Sequence, residues 1–244
     1  MNTPCRLRPF FSVVIPVLAE EAAIDAVVDH ARVVGYGLDV EIVVVDGDPA
    51  GGTLRALSRP GVTGLTAPAG RASQQNAGAA AARGENLLFL HADTRLPAGA
   101  FQDAAAALAA GATLGAFSLA IRSGHPWLRL VAAGANLRSR FFFLPYGDQA
   151  FFTRREAFFA LGGFPDIPVM EDVAYARAVA RAGGRVAVLP GRAVTSARRY
   201  EAEGVFRATA RNLALLALYG LGVSPRRLAR HYPPSPRRPG ERAG

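Results

Sequence analysis

The chain has 244 residues, is 50% hydrophobic and carries a single cysteine, Cys5, which excludes a disordered protein, a disulfide framework and a thiolate zinc site. That length fits one large domain able to bury roughly 70–75% of its unfolded surface. The net charge of +9 is carried without a lysine and is uneven: 17 arginines face 16 acids up to Gly191, and 11 face 3 from Arg192 onward.

Strand-like and helix-like segments alternate along the first half. The spacing predicts strands at 11–18, 40–46, 62–66 and 86–91, and helices at 20–34, 53–57, 71–83 and 98–110. The first apolar run meets Glu20 and Glu21 with no small-residue cleavage site, so it reads as a strand rather than a secretory leader. A βαβα rhythm with unbroken apolar strands predicts a mostly parallel sheet with helices on both faces. Residues 104–121 are apolar enough to consider as a membrane span. Gly111, Thr113, Gly115 and Ser118 interrupt them, however, and the pattern is that of a helix followed by a strand.

The second half is less regular. Strands are predicted at 113–121, 150–154, 185–189 and 193–197, and helices at 126–140, 171–181 and 201–219. No linker divides the chain, which reads as one domain over 1–232 with a C-terminal helix at 201–232 and a disordered basic tail from Pro233. With one cysteine and no leader, the expected compartment is cytoplasmic.

Three acidic positions carry the chemistry. The strand Asn86-Leu-Leu-Phe-Leu breaks into His91-Ala-Asp93-Thr94, and a carboxylate at such a strand end suits a divalent cation held against a diphosphate. His91, two residues before Asp93, projects to the same side if the strand continues, or is a hydrogen-bonded core histidine. Asp46 ends the strand before Gly47, where it either accepts from a nucleoside or caps the following turn. Glu171-Asp172 opens a helix after Ile167-Pro-Val-Met170, and is either a dipole-matched first turn or a general base.

Secondary signals surround these acids. Gly70-Arg71-Ala-Ser-Gln-Gln-Asn76-Ala-Gly78 opens a helix with a cation and amides, and a helix N-terminus suits an anion. There, Asn76 and Gly78 mark close packing or ligand contact. Tyr146-Gly147-Asp148-Gln149 is a polar cluster among phenylalanines, either a turn or the lining of an acceptor pocket. Arg198-Arg199 is either a solvated pair or a phosphate contact.

In their order and spacing, Ser12-Val-Val-Ile-Pro16, Val43-Val-Val-Asp46-Gly47, Leu90-His-Ala-Asp93-Thr94, Gly162-Gly-Phe164 and Glu171-Asp172 resemble the family 2 glycosyltransferases of the GT-A fold. The Gly70–Gly78 stretch, His91-Ala-Asp-Thr and Tyr146-Gly-Asp-Gln look like the small bacterial branch associated with arsenosugar biosynthesis. The resemblance implies a nucleotide-diphosphate sugar donor and inversion at the anomeric carbon. It further implies a divalent cation (Mn2+ or Mg2+) on Asp93 and Asp172 as catalytic base, with Glu171 beside it. Pro16, Val17, Glu20, Asp46, Gly47, Arg71, Asn76, His91 and Ala92 are then expected at the donor. Gly147, Asp148, Gln149, Arg198 and Arg199 are expected at the acceptor, a small molecule or a lipid-linked one, or at the diphosphate. Three departures from the family pattern stand out: Ala19 in place of Asn, Pro49 and Gly51 in place of Ser and Asp, and His91 in place of the first acid of D-x-D.

A nucleotidyltransferase is the nearest rival, but its basic glycine-rich loop after the first strand is here Val17-Leu-Ala-Glu-Glu21. A nucleic-acid-binding module is prompted by the basic final quarter, yet no stacking-aromatic motif accompanies it. The basic helix 201–219, with Arg207 and Arg211 on one side, is instead expected either to lie on an anionic membrane or to pack on the domain.

Overall fold

A computed structural model describes residues 10–232; Cys5 and the tail from Pro233 lie outside the described residues. The chain order is β1 (Phe11–Val17), α1 (Ile24–Val34), β2 (Val40–Asp46), α2 (Gly52–Ala56), β3 (Thr63–Thr66), α3 (Arg71–Ala81), β4 (Asn86–Phe89) and β5 (Thr94–Arg95). There follow α4 (Ala100–Ala109), β6 (Leu114–Arg122), α5 (Pro126–Phe142), a 3-10 turn (Gly147–Gln149), β7 (Phe152–Arg154), α6 (Arg155–Ala160) and α7 (Glu171–Arg181). Last come β8 (Val186–Ser196), α8 (Arg198–Glu203), α9 (Val205–Gly220) and α10 (Pro225–Ala229).

The strands form one sheet in the order β3-β2-β1-β4-β7-β6-β8-β5. β1 pairs in parallel with β2 and β4, β2 with β3, and β6 with β8, whereas β7 is antiparallel to β4 and β6, and β5 to β8. Side-chain alternation sorts each apolar run between two cores. Val13, Ile15, Ile42, Val44 and Leu88 pack with α1 and α4, while Val14, Val43, Val45, Leu87 and Phe89 pack with α3, α6 and α7. In the second core Phe89, Phe158, Phe164 and Tyr175 meet with ring centroids 4.9–5.3 Å apart; truncating one such ring to alanine costs about 3–5 kcal/mol.

Three expectations are corrected, and two short elements are added to those expected. The strands expected at 185–189 and 193–197 are one strand, β8, which carries Pro190 and Gly191 as extra residues where Phe117 pairs with Leu189 and Ser118 with Arg192. The two-residue β5 and the short α6 are too brief to show a period. The C-terminal helix divides at Gly204, whose φ of 87° ends α8, and α10 follows it. Arg211 turns inward: it pairs with Glu203 and lies over the Tyr232 ring, so Arg207 is left as the outward cation of that pair.

Candidate active site

Strand order reverses at the seam between β1 and β4. The chain leaves β1 for β2 and β3, then returns to lay β4 along the other side of β1. Open α/β sheets hold ligands beyond the carboxyl ends of strands at such a seam. The parallel registers set Asp46 opposite Val17, and bring the segment after β4 to the same rim.

On the β1–β2 side, Asp46 is fully buried. Its Oδ1 accepts from the Asp48 N–H at 3.0 Å and its Oδ2 from the Thr53 and Leu54 N–H groups at 2.9 and 3.3 Å. The carboxylate therefore caps α2, and contact with a base would use its remaining lone pairs. Gly47 donates its N–H to the Val17 carbonyl at 2.8 Å. A side chain there would stand 3.1 Å from the Gln74 amide. Gln74 is buried and its Nε2 donates to the Val17 and Val45 carbonyls at 2.7 and 2.8 Å, lacing the two strand ends together. Pro16 is half-buried and Val17 buried. Glu20 donates its N–H to Thr53 Oγ1 at 3.1 Å and accepts from Arg198 Nη2 at 2.8 Å.

Beyond β4, His91, Ala92 and Asp93 are half-buried. β5 begins at the next residue and pairs with β8, and the Ser196 N–H donates to the Asp93 carbonyl at 3.1 Å. The hydroxyls of Thr94 and Thr195 reach Asp93 Oδ1 at 3.3 and 3.5 Å. Across the cleft, the Gly147 N–H donates to Asp172 Oδ2 at 2.7 Å. A Cβ on Gly147 would lie 3.4 Å from both that oxygen and the His91 ring. Gly147 thus marks where the segment after β4, the 3-10 turn and the first turn of α7 meet.

Charge concentrates at this junction. Burial and then the Arg71 guanidinium push His91 well below its usual imidazole range, so it is neutral at pH 7. Burial first, and Asp172 second, hold Glu171 well above the carboxylate range. Asp148 is pushed up to about 6, by burial and then by Asp172, and its Oδ1 is buried with no hydrogen-bond partner among the described residues. Desolvation opposes the charge on the Arg71 guanidinium, but Tyr232, Glu171, Asp172 and Asp93 leave it raised overall. The charge of Arg199 also bears on His91.

The cleft therefore gathers Arg71, His91, Asp93, Gly147, Asp148, Glu171, Asp172 and Arg199, with Asp46, Gly47 and the Glu20–Arg198 pair on its β1–β2 side. Two expected site residues have their side-chain amides committed to the scaffold. Asn76 donates to the Phe164 carbonyl at 2.7 Å and accepts its N–H at 3.0 Å, which pins the Gly162-Gly163 turn. Gln149 accepts from Ser139 Oγ and the Tyr146 N–H, and donates to the Phe117 carbonyl.

Tyr232 is not among the residues expected from sequence, and Gln74 enters there only as one amide of the Gly70–Gly78 stretch. Tyr232 accepts from Arg199 Nη1, and its ring lies under the guanidiniums of Arg199 and Arg211 at 4.9 and 5.3 Å. The tyrosine carries no local signal, and the role of the buried amide, like that of the tyrosine, is set by tertiary contacts.

Among the described residues no group of three or more His, Cys, Asp and Glu could cage an ion. One carboxylate, Asp93, beside a neutral imidazole fits a hard cation that completes its oxygen shell with phosphate and water.

A parallel-rich sheet with an acidic, arginine-rimmed crevice at its switch point defines an α/β domain of the GT-A type. The chain belongs to glycosyl transferase family 2, whose model matches residues 12–164. Similar solved structures include Staphylococcus aureus TarS 1-349, at TM-score 0.59 and 19% identity over 85% of this chain. This chain spans 65% of the length of that one. The mannosyltransferase PcManGT of Pyrobaculum calidifontis, in complex with GDP-Man and Mn2+, aligns at TM-score 0.55 and 22% identity over 86% of this chain and 65% of its own. Glucosyl-3-phosphoglycerate synthase of Mycobacterium tuberculosis, in complex with Mn2+, UDP and phosphoglyceric acid, gives 0.60 and 21% over 88% of this chain and 79% of its own. No curated protein matches the chain.

Proposed function

We propose that this chain transfers a sugar, with inversion, from a nucleotide-diphosphate sugar to an acceptor hydroxyl. The placement of Asp172 carries the reading: its carboxylate is aimed by the Gly147 N–H at 2.7 Å into the cleft that also holds His91 and Asp93. There it accepts the hydroxyl proton as the acceptor oxygen bonds to the anomeric carbon. The bond from that carbon to the diphosphate breaks at the same time, and the diphosphate leaves with the electron pair. Burial and then Asp172 favour the protonated form of Glu171, and the base role is given to Asp172 on its placement. Arg71 and Arg199 face the leaving diphosphate. Asp93 would hold Mn2+ or Mg2+, which when bound offsets the charge of the departing group. Pro16, Val17, Glu20, Asp46 and Gly47 border the nucleoside, and the unpartnered Asp148 oxygen meets a sugar or acceptor hydroxyl.

Family membership supports this reading, as do solved relatives that carry UDP-GlcNAc or GDP-Man with Mn2+. Within the family we place the chain in the small bacterial branch associated with arsenosugar biosynthesis, on the three motifs that resemble it. Residues 11–95 form the nucleotide half, 96–200 the acceptor half, and 201–232 the C-terminal helices of the same domain. No helix among the described residues is long and apolar enough to cross a membrane. We place the protein in the cytoplasm, with Arg207 of α9 and Arg226, Arg227 and Arg230 at α10 resting on an anionic membrane surface.

The test is a thermal-shift panel of UDP- and GDP-sugars with and without Mn2+ or Mg2+. One donor should raise the melting temperature in a metal-dependent way, and Asp93→Ala should remove that dependence. A panel in which no nucleotide sugar shifts the protein with either metal ends the proposal.

A further inference from the structure

Two helices turn large apolar side chains outward. On α5 the inward face is Leu128, Ala132 and Ser139. The outward stripe, at helical spacing, is Leu130, Leu137 and Phe141, which are 63%, 60% and 70% exposed. On α9, Phe206 and Leu213, both 62% exposed, lie one above the other two turns apart. Phe206 packs against Trp127 at 5.2 Å, so the two stripes meet. Single exposed leucines are ordinary, whereas adjoining stripes of leucine and phenylalanine mark a surface that something covers.

A cleft of about 520 Å3 opens beside the α5 stripe, between it and β6 and β8. Leu137, Phe141, Arg140 and Arg192 all line it, and no acid does. Its neutral polar groups are already bonded to backbone: Asn136 exchanges two hydrogen bonds with Leu119, and Ser118 donates to the Leu189 carbonyl at 2.8 Å. The binding capacity that remains is cationic and apolar, side by side, which is the chemistry of a phosphate with an acyl chain attached.

We infer that the α5–α9 face docks on an anionic phospholipid bilayer, with a lipid phosphate seated at Arg140 and Arg192. Guanidinium and apolar groups that border one another match the interface between headgroups and acyl chains. A second copy is the poorer occupant, since the cleft offers two arginines and no acid to pair with those of an identical face. The inference rests on the membrane contact proposed above and shifts its centre from the C-terminal arginines to α5.

Co-sedimentation of the full chain with phosphatidylcholine vesicles, with and without phosphatidylglycerol, tests it. Binding should require phosphatidylglycerol. The pair Arg140→Ala with Arg192→Ala should weaken it at least about tenfold, at roughly 1 kcal/mol for each cation near the surface. Leu137→Ser with Phe141→Ser should weaken it at high salt as well. These side chains are peripheral, and an unchanged melting temperature confirms that each variant folds. If the α5 variants bind like wild type while Arg226→Ala, Arg227→Ala and Arg230→Ala together abolish binding, the α5 site is wrong and the C-terminal contact stands. Failure of the wild type to bind either vesicle ends both. A dimer by light scattering that Leu137→Ser dissolves overturns the bilayer in favour of a second copy.

Discussion

The Gly147 N–H donates to Asp172 Oδ2 at 2.7 Å, and the His91 ring borders the same glycine. Together with the Val173 N–H, which donates to Asp172 Oδ1 at 2.7 Å, this backbone donor fixes the direction of the acid at the head of α7. Asp172→Asn keeps the shape and removes the basicity, so turnover should fall by about 10²–10⁴-fold while the donor-induced thermal shift persists. Equal turnover by wild type and variant would show that another group takes the proton.

Asp148 gives the stability a sign with pH. Its carboxyl is pushed up to about 6, above the unfolded value of about 4, so the folded state binds its proton more tightly. Its contribution is fully present below about pH 4 and is lost as pH rises through about 6. Asp148→Asn should therefore be more stable than wild type above pH 6, by about 1–3 kcal/mol, read as a higher melting temperature, and the gap should close toward pH 4. Parallel melting curves across that window would rule out the shift.

Gly78 is a packing residue. A Cβ there would come within 2.4 Å of Val14 Cγ1 and 2.9 Å of Val45 Cγ2, so α3 rests directly on β1 and β2. Gly78→Ala should destabilise by about 1–3 kcal/mol in urea unfolding. A stability equal to wild type would mean that the helix can lift away from the sheet without cost.

Ala19 adopts φ 54°, the left-handed region that asparagine enters more readily than alanine. The departure from the family's Asn at this position therefore leaves strain in the loop that presents Glu20. Ala19→Asn should raise stability by up to about 1 kcal/mol, read as a higher urea midpoint with an unchanged slope; a lower midpoint would locate the strain elsewhere.

The first half of the fold was legible because β1, β2 and β4 are buried on both faces and read as unbroken apolar runs. β5 was harder, since a strand of two residues takes its pairing from a distant partner, whereas the three-residue β7 falls inside the strand expected at 150–154. Proline and glycine at 190–191 look like a break, yet the ladder passes over them as a bulge. In the site, Asp93 and Asp172 announced themselves as acids where an apolar strand ends and a helix begins. By contrast, the amides of Asn76 and Gln149 look like ligand groups in sequence and serve the scaffold, because only the fold reveals which backbone groups they meet.

Glu20 and Arg198, 178 residues apart in sequence, join the loop after β1 to the head of α8. Arg198 thus already holds one anion before any other arrives. A diphosphate that engages it enters by exchange, trading one carboxylate for phosphate oxygens, and the affinity measured is the difference between two anions. Neutralising Glu20 then acts on ligand selectivity as much as on attraction, by removing the resident competitor.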